Sequence, residues 1–206
     1  MPAGGPKAEL HAYLRAARQA LVGKLDGLSE YDARRPLVRT GTNLLGLVKH
    51  LAGVEAGYLG DAFGRPFPEP LPWLDGDAEP NADMWATPDE SRDDVVGLYR
   101  RVGAHADATI DALALDAPGV VPWWPDDRRA VTLHTVLVHV VAEAHRHAGH
   151  ADIVRELVDG TVGLRHPGDN MAPGDRAWWR GHRDRLEEAA RDAGRRGATT
   201  DPADTG

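Results

Sequence analysis

Residues 131–156 read VTLHTVLVHVVAEAHRHAGHADIVRE. Leu133, Val136, Val140 and Ile153 recur at helical spacing, and the spacing predicts a helix from about Thr132 to Val158. At about 100° per residue, with His139 set at zero, Glu143 falls near 40°, His147 near 80° and His150 near 20°. Four ionisable side chains therefore share one face, while His134 and His145 point to nearly the opposite side. Polar groups on an apolar helix must give up water, and burying them without partners is costly. Histidine and glutamate in such a row satisfy one another or bind a metal.

Working outward, the rest of the chain also reads as helix. Leu10, Leu14, Ala17, Leu21 and Leu25 mark an amphipathic helix from about Lys7 to Leu28. Ser29–Gly41 reads as a connector. Thr42 and Asn43 offer caps for a second helix, Asn43 to about Phe63, whose broad apolar stripe predicts deep burial. Thr87-Pro88-Asp89-Glu90 offers an N-cap, a first-turn proline and an acid at N3, which starts a third helix running from Pro88 to Leu113. A further helix is expected over Asp175 to Ala193.

The connectors are unusual. Residues 64–86 carry five prolines, Pro66, Pro68, Pro70, Pro72 and Pro80, which exclude helix. A loop of this length in a small domain is functional or covers something, and Phe67, Trp73 and Trp85 predict that it packs down. Residues 116–130 form a second Pro/Trp connector, and 160–174 a third. No strand-period segment of useful length appears. The expectation is an all-α four-helix bundle with an additional C-terminal helix and long Pro-rich crossover loops. The domain is expected to span 1–193, followed by a polar, disordered tail over 194–206.

Composition narrows the chemistry. The 206 residues include 24 Lys+Arg and 32 Asp+Glu, a formal net charge of −8. Such a chain, with no dense basic block, is a poor binder of phosphate backbones, so no nucleic-acid partner is expected. No apolar run approaches the roughly 18–20 residues a spanning helix needs, so no membrane is expected either. The start, MPAGGPKAEL, lacks the apolar core of a signal peptide. A cytoplasmic setting follows by default. Cysteine is absent. That excludes disulfides, thiolate metal sites and a cysteine nucleophile.

Glu143 and His147 are four residues apart, so their side chains stack one turn above the other. Two ligands at that spacing reach one ion, as in HExxH, although no HExxH occurs here. Paired Glu-x-x-His motifs of a di-iron centre are also absent. A third ligand must come from another helix. His50, midway through NLLGLVKHLAGVE (residues 43–55), is flanked by Leu47 and Val54 on its own side and should face inward. His50, Glu143 and His147 would form a three-ligand site with open positions, the pattern of a catalytic metal. The competing reading is a structural polar seam. His11, His105, His134, His145, His166 and His182 read as surface or packing residues. Gly149, in mid-helix, reads as a position that lets helices approach.

Other motifs fail. Asp75, Asp77, Glu79, Asn81 and Asp83 alternate as in a calcium loop. Pro80 replaces the required glycine, however, and Ala86 the final glutamate. No phosphate-binding glycine loop and no G-x-S-x-G elbow occur. Trp123-Trp124 and Trp178-Trp179 read as pocket linings or helix-end packing.

The two histidine-bearing stretches, with TPDES (87–91) between them, resemble the DinB/YfiT-like superfamily, and within it the mycothiol-dependent branch. The resemblance covers about residues 7–160, and more weakly DNMAPGDRAWW (169–179). It implies a four-helix bundle holding a divalent metal, zinc foremost, with nickel or iron as alternatives. The superfamily's usual ligands are a histidine on the second helix and a His-x-x-x-His pair. Here the pair reads Glu143-x-x-x-His147, as in mycothiol-dependent maleylpyruvate isomerases, so the ligand set carries over to His50, Glu143 and His147. His150 and His139 are candidates for catalytic or orienting roles. About 46 residues follow Gly160, short of the further domain such isomerases carry, so a mycothiol S-transferase is the expected activity.

On this reading a metal binds the thiol of mycothiol, or of a similar small thiol, and lowers its pKa. The thiolate then attacks a small electrophile. A metal-dependent hydrolase or isomerase of the same fold, or a non-catalytic metal-binding stress protein, are the alternatives. Bundles of this type commonly form homodimers.

Overall fold

A computed structural model describes residues 4–198. They form two compact units, divided along the chain between Asp169 and Asn170. The first holds α1 (Pro6–Gly23), α2 (Glu30–Arg34), α3 (Leu44–Leu59), α4 (Arg92–Ala112), the strands β1 (Pro118–Val120) and β2 (Ala130–Thr132), and α5 (Leu133–Asp159). The second holds α6 (Arg176–Ala198). The fold is an all-α helical bundle, and its one sheet is a two-stranded antiparallel hairpin pairing Gly119 with Val131.

Helices α3, α4 and α5 start where side chains replace missing backbone partners, whereas α1 starts at Pro6 behind Gly5 without one. Asn43 Oδ1 accepts from Gly46 N at 2.8 Å, and Thr132 Oγ1 from Thr135 N at 3.3 Å. The bundle of α1, α3, α4 and α5 closes over Leu14, Leu21, Leu47, Leu51, Ile110, Val136 and Val140, each at most 1% exposed. Burying each such side chain contributes about 1.5–3 kcal/mol.

Helix α3 sits at the centre. Thirteen of its sixteen residues are buried, so it must be covered on the side facing away from the bundle as well. Its glycines permit this. A Cβ on Gly46 would run into the carbonyl oxygen of Met84; on Gly53 it would lie 3.2 Å from Leu74, and on Gly57 3.0 Å from Trp123. Two crossover segments thus lie directly on the helix. The Pro-rich one is tied down near its end. Arg34 donates to the carbonyls of Ala86, Thr87 and Glu90. Lys49, only 3% exposed, donates to Trp85 O and the Glu90 carboxylate and faces the Trp73 ring.

Several boundaries differ from the sequence expectation. Helix α4 begins at Arg92, not Pro88. Ser91 and Asp94 form the reciprocal cap, while Glu90 is already engaged by Thr87 N and Lys49, so 87–90 closes a turn. The first helix stops at Gly23, and the connector after it contains α2, capped by Ser29. The second predicted helix ends at Leu59, and Asp61–Phe63 is a separate 3-10 turn. Gly149 meets nothing within 4 Å, so it does not serve helix approach. Ile153 is 60% exposed, because the C-terminal half of α5 turns that face to solvent.

In the second unit, Asp175 caps α6 through Trp178 N, and Trp178 stacks on His182. The helix reaches Ala198, past the expected stop at Ala193. The remainder of the expected tail, 199–206, lies outside the described residues. Among the described residues no helix is long and apolar enough to cross a membrane.

Candidate metal centre

The α3–α5 seam carries the histidine row. His50 on α3 and His147 on α5 meet edge to face, with ring centroids 4.8 Å apart. Tyr58 and His139 meet farther along at 4.6 Å. Moving forward on one helix moves backward on the other, so the two helices run antiparallel.

His50, Glu143 and His147 each offer one ligand atom, and the three atoms lie within 4.8 Å of one another. His147 Nε2 is 2.8 Å from Glu143 Oε1, and His50 Nε2 is 3.8 Å from the same oxygen. A four-coordinate ion with bonds of about 2.1 Å sets neighbouring donors roughly 3.4 Å apart. The cluster brackets that spacing, and its donors are two imidazoles and a carboxylate, so the residues fit a divalent cation.

The electrostatics agree. Burial works to raise the Glu143 pKa. The hydrogen bond from His147 and the charges of His147, Arg146 and His50 outweigh it and hold the group below the ordinary carboxylate range. Burial first, then the charge of His50, push the His147 imidazole below its ordinary value; its hydrogen bond to Glu143 opposes this without overcoming it. A carboxylate and a neutral imidazole are the forms that bind metal.

Of the other two predicted residues, His150 touches the trio and His139 lies apart from it. His150 is exposed, and its Nδ1 is 3.3 Å from His147 Nδ1. His139 packs against Tyr58 and Trp124. There the Tyr58 hydroxyl accepts from both indole nitrogens, of Trp123 at 3.2 Å and Trp124 at 2.8 Å. Trp123 is 52% exposed, so this aromatic group forms a wall farther along the seam.

Two features escaped sequence reasoning. Asp83, read only within a failed calcium loop, has Oδ2 2.6 Å from His50 Nδ1. No periodicity placed that loop over α3; the acidic residue beside Met84, which packs on the core, was the available signal, whereas Trp85, expected to pack down, is 42% exposed. The second is a buried polar cluster about 140° round α3 from His50. Glu55, fully buried, accepts from Arg18 Nε at 2.9 Å and from Tyr99 Oη at 3.0 Å. Arg18 also reaches Asp107, which His11 approaches at 2.8 Å. Burial disfavours the Arg18 charge, but Glu55 and Asp107 outweigh it and hold the group charged. A cavity of about 480 Å³ opens beside this cluster between α1 and α4, and the histidine row does not line it.

No curated protein matches the chain. The Mycothiol-S-transferase family model matches residues 9–160. That span covers α3, the Pro-rich crossover and all of α5, and so includes every member of the trio. The chain belongs to the Mycothiol-S-transferase family.

Proposed function

We propose that the protein is a divalent-metal-dependent S-transferase that joins mycothiol, or a similar small thiol, to a small electrophile. The observation that carries this reading is the convergence of His50, Glu143 and His147 in a chain of that family. These three residues would hold the ion, and the donor set suits zinc. A bound dication supplies one thing: it lowers the pKa of a thiol so that the thiolate exists at neutral pH.

The chain's own residues do the rest. The single negative charge of Glu143 leaves the centre net positive, which favours an anionic sulfur. His150, solvent-facing and beside His147, accepts the thiol proton. A C–S bond then forms at the electrophile. An activated alkene takes a proton back at carbon; a substrate with a leaving group releases it with the bonding electron pair. The absence of cysteine means that the reactive sulfur comes from the cosubstrate. Leu74 and Trp123, exposed where the two crossovers lie on α3, border the approach for the electrophile.

The test pairs metal content with thiol conjugation. Wild-type protein should bind about one zinc and conjugate mycothiol to a fluorogenic electrophile, and EDTA should abolish the activity. His50→Ala should lose the metal. Unchanged zinc content in that variant, or conjugation indifferent to EDTA, refutes the reading. Turnover without any thiol would identify a hydrolase instead.

A further inference from the structure

The shortest contact that the trio makes outside itself is the one to Asp83, whose Oδ2 lies 2.6 Å from His50 Nδ1. A carboxylate only accepts, so His50 Nδ1 carries the proton and donates it. In the neutral ring this leaves Nε2 bare, and Nε2 is the nitrogen that faces Glu143. Metal-binding histidines depend on such a fixed tautomer, set by the partner of the other ring nitrogen.

Asp83 does not arrive there by chance of a loose loop. The residues after it are held by three side chains from α2 and α3 with its cap: Asn43 donates to Met84 O at 3.2 Å, Lys49 to Trp85 O at 3.1 Å, and Arg34 to the carbonyls of Ala86, Thr87 and Glu90. Gly46 provides the room in which Met84 lies against α3. The Pro-rich crossover therefore delivers one carboxylate to one imidazole at a fixed place.

We propose that Asp83 is a positioning residue: it locks His50 as the Nδ1–H tautomer and so readies Nε2 as a ligand. The role rests on the metal-centre reading above, but the tautomer itself can be read without any metal.

The experiment uses the full chain labelled with 15N-histidine. In metal-free wild type at about pH 8, above the ordinary imidazole range, His50 should appear as the Nδ1–H tautomer. Asp83→Ala should move it toward Nε2–H, with the melting temperature and circular dichroism unchanged, since both side chains are partly exposed. The same variant should bind zinc about 10–100-fold more weakly in competition with a chromophoric chelator. Should Asp83→Ala loosen the crossover, Asp83→Leu removes the acceptor while keeping the bulk, and the same two shifts are expected. An unchanged tautomer, or wild-type zinc affinity, in the folded variant overturns the assignment. If wild type itself binds no zinc, the metal-centre reading falls, and the 15N spectra still decide whether Asp83 sets the tautomer.

Discussion

His50 and His147 come from helices nearly one hundred residues apart in sequence, yet their rings stand 4.8 Å apart in an edge-to-face arrangement. Neither ring is free to turn unnoticed. His50 is gripped on its far nitrogen by Asp83, and His147 is gripped by Glu143 and His150. The seam between α3 and α5 thus holds its donors in a defined orientation before any ligand arrives, which limits the reorganisation that binding requires.

His147→Ala and His139→Ala should separate the centre from the aromatic wall. A ligand that binds only the folded state at a hundredfold excess over its Kd stabilises the fold by about 2.7 kcal/mol. Zinc should therefore raise the melting temperature of wild type and of His139→Ala, whose ring packs on Tyr58 and Trp124. His147→Ala should show no such rise in the same thermal-shift titration.

The Arg18–Glu55 pair should dominate the mutational sensitivity of α3. Removing one partner of a buried pair leaves the other charge stranded, at a cost of about 3–5 kcal/mol. Glu55→Ala should lose up to about that much in urea unfolding, since Tyr99 Oη loses its acceptor while Arg18 keeps only Asp107. The double change Arg18→Met with Glu55→Leu should be milder, because it removes both charges of the pair and keeps the volume, the remaining loss coming from the contacts to Tyr99 and Asp107.

Two glycine substitutions should have opposite signs. Gly46→Ala drives a methyl into the Met84 carbonyl and should cost about 1–3 kcal/mol, with faster protease cleavage within 64–90 as the crossover lifts. Gly149→Ala meets nothing in an exposed helix interior and should stabilise by about 0.5–1 kcal/mol. Urea midpoints of the two variants check both signs.

Asp159 offers a pH test at the end of α5. The Arg155 guanidinium beside it, aided by Thr161 N–H, holds its carboxyl down at about 2 against the opposing effect of burial. A depressed carboxyl stabilises the fold above the unfolded pKa of about 3.9 and loses that contribution as pH falls toward 2. Asp159→Asn should thus be less stable than wild type near pH 7, by under about 1 kcal/mol since the pair is partly exposed. The gap should close near pH 2 in urea melts.

Much of this was readable from spacing. The 3.6-residue period placed Glu143 and His147 on one face of α5 and His50 on the inward side of α3, because helices repeat and a repeat can be counted. Crossovers do not repeat. Asp83 reached His50 through the stapling of 84–90 by Arg34, Asn43 and Lys49, which no local pattern encodes. The start of α4 was misplaced for a related reason. Thr87 and Ser91 both look like caps, and only the tertiary partner of Glu90 decides between them. Glu55 was hidden by its neighbours: an acid within an apolar run reveals its cost, but not the arginine on α1 that offsets it.

The glycines along α3 carry a consequence for how the cover and the frame can vary. Leu74 and Trp123 reach α3 at Gly53 and Gly57 from chain segments outside the four long helices, while His50, Glu143 and His147 stand on those helices. Substitutions in those outer segments can therefore alter what lies over α3 without disturbing the donors. A laboratory library can rewrite the cover and leave the chassis alone.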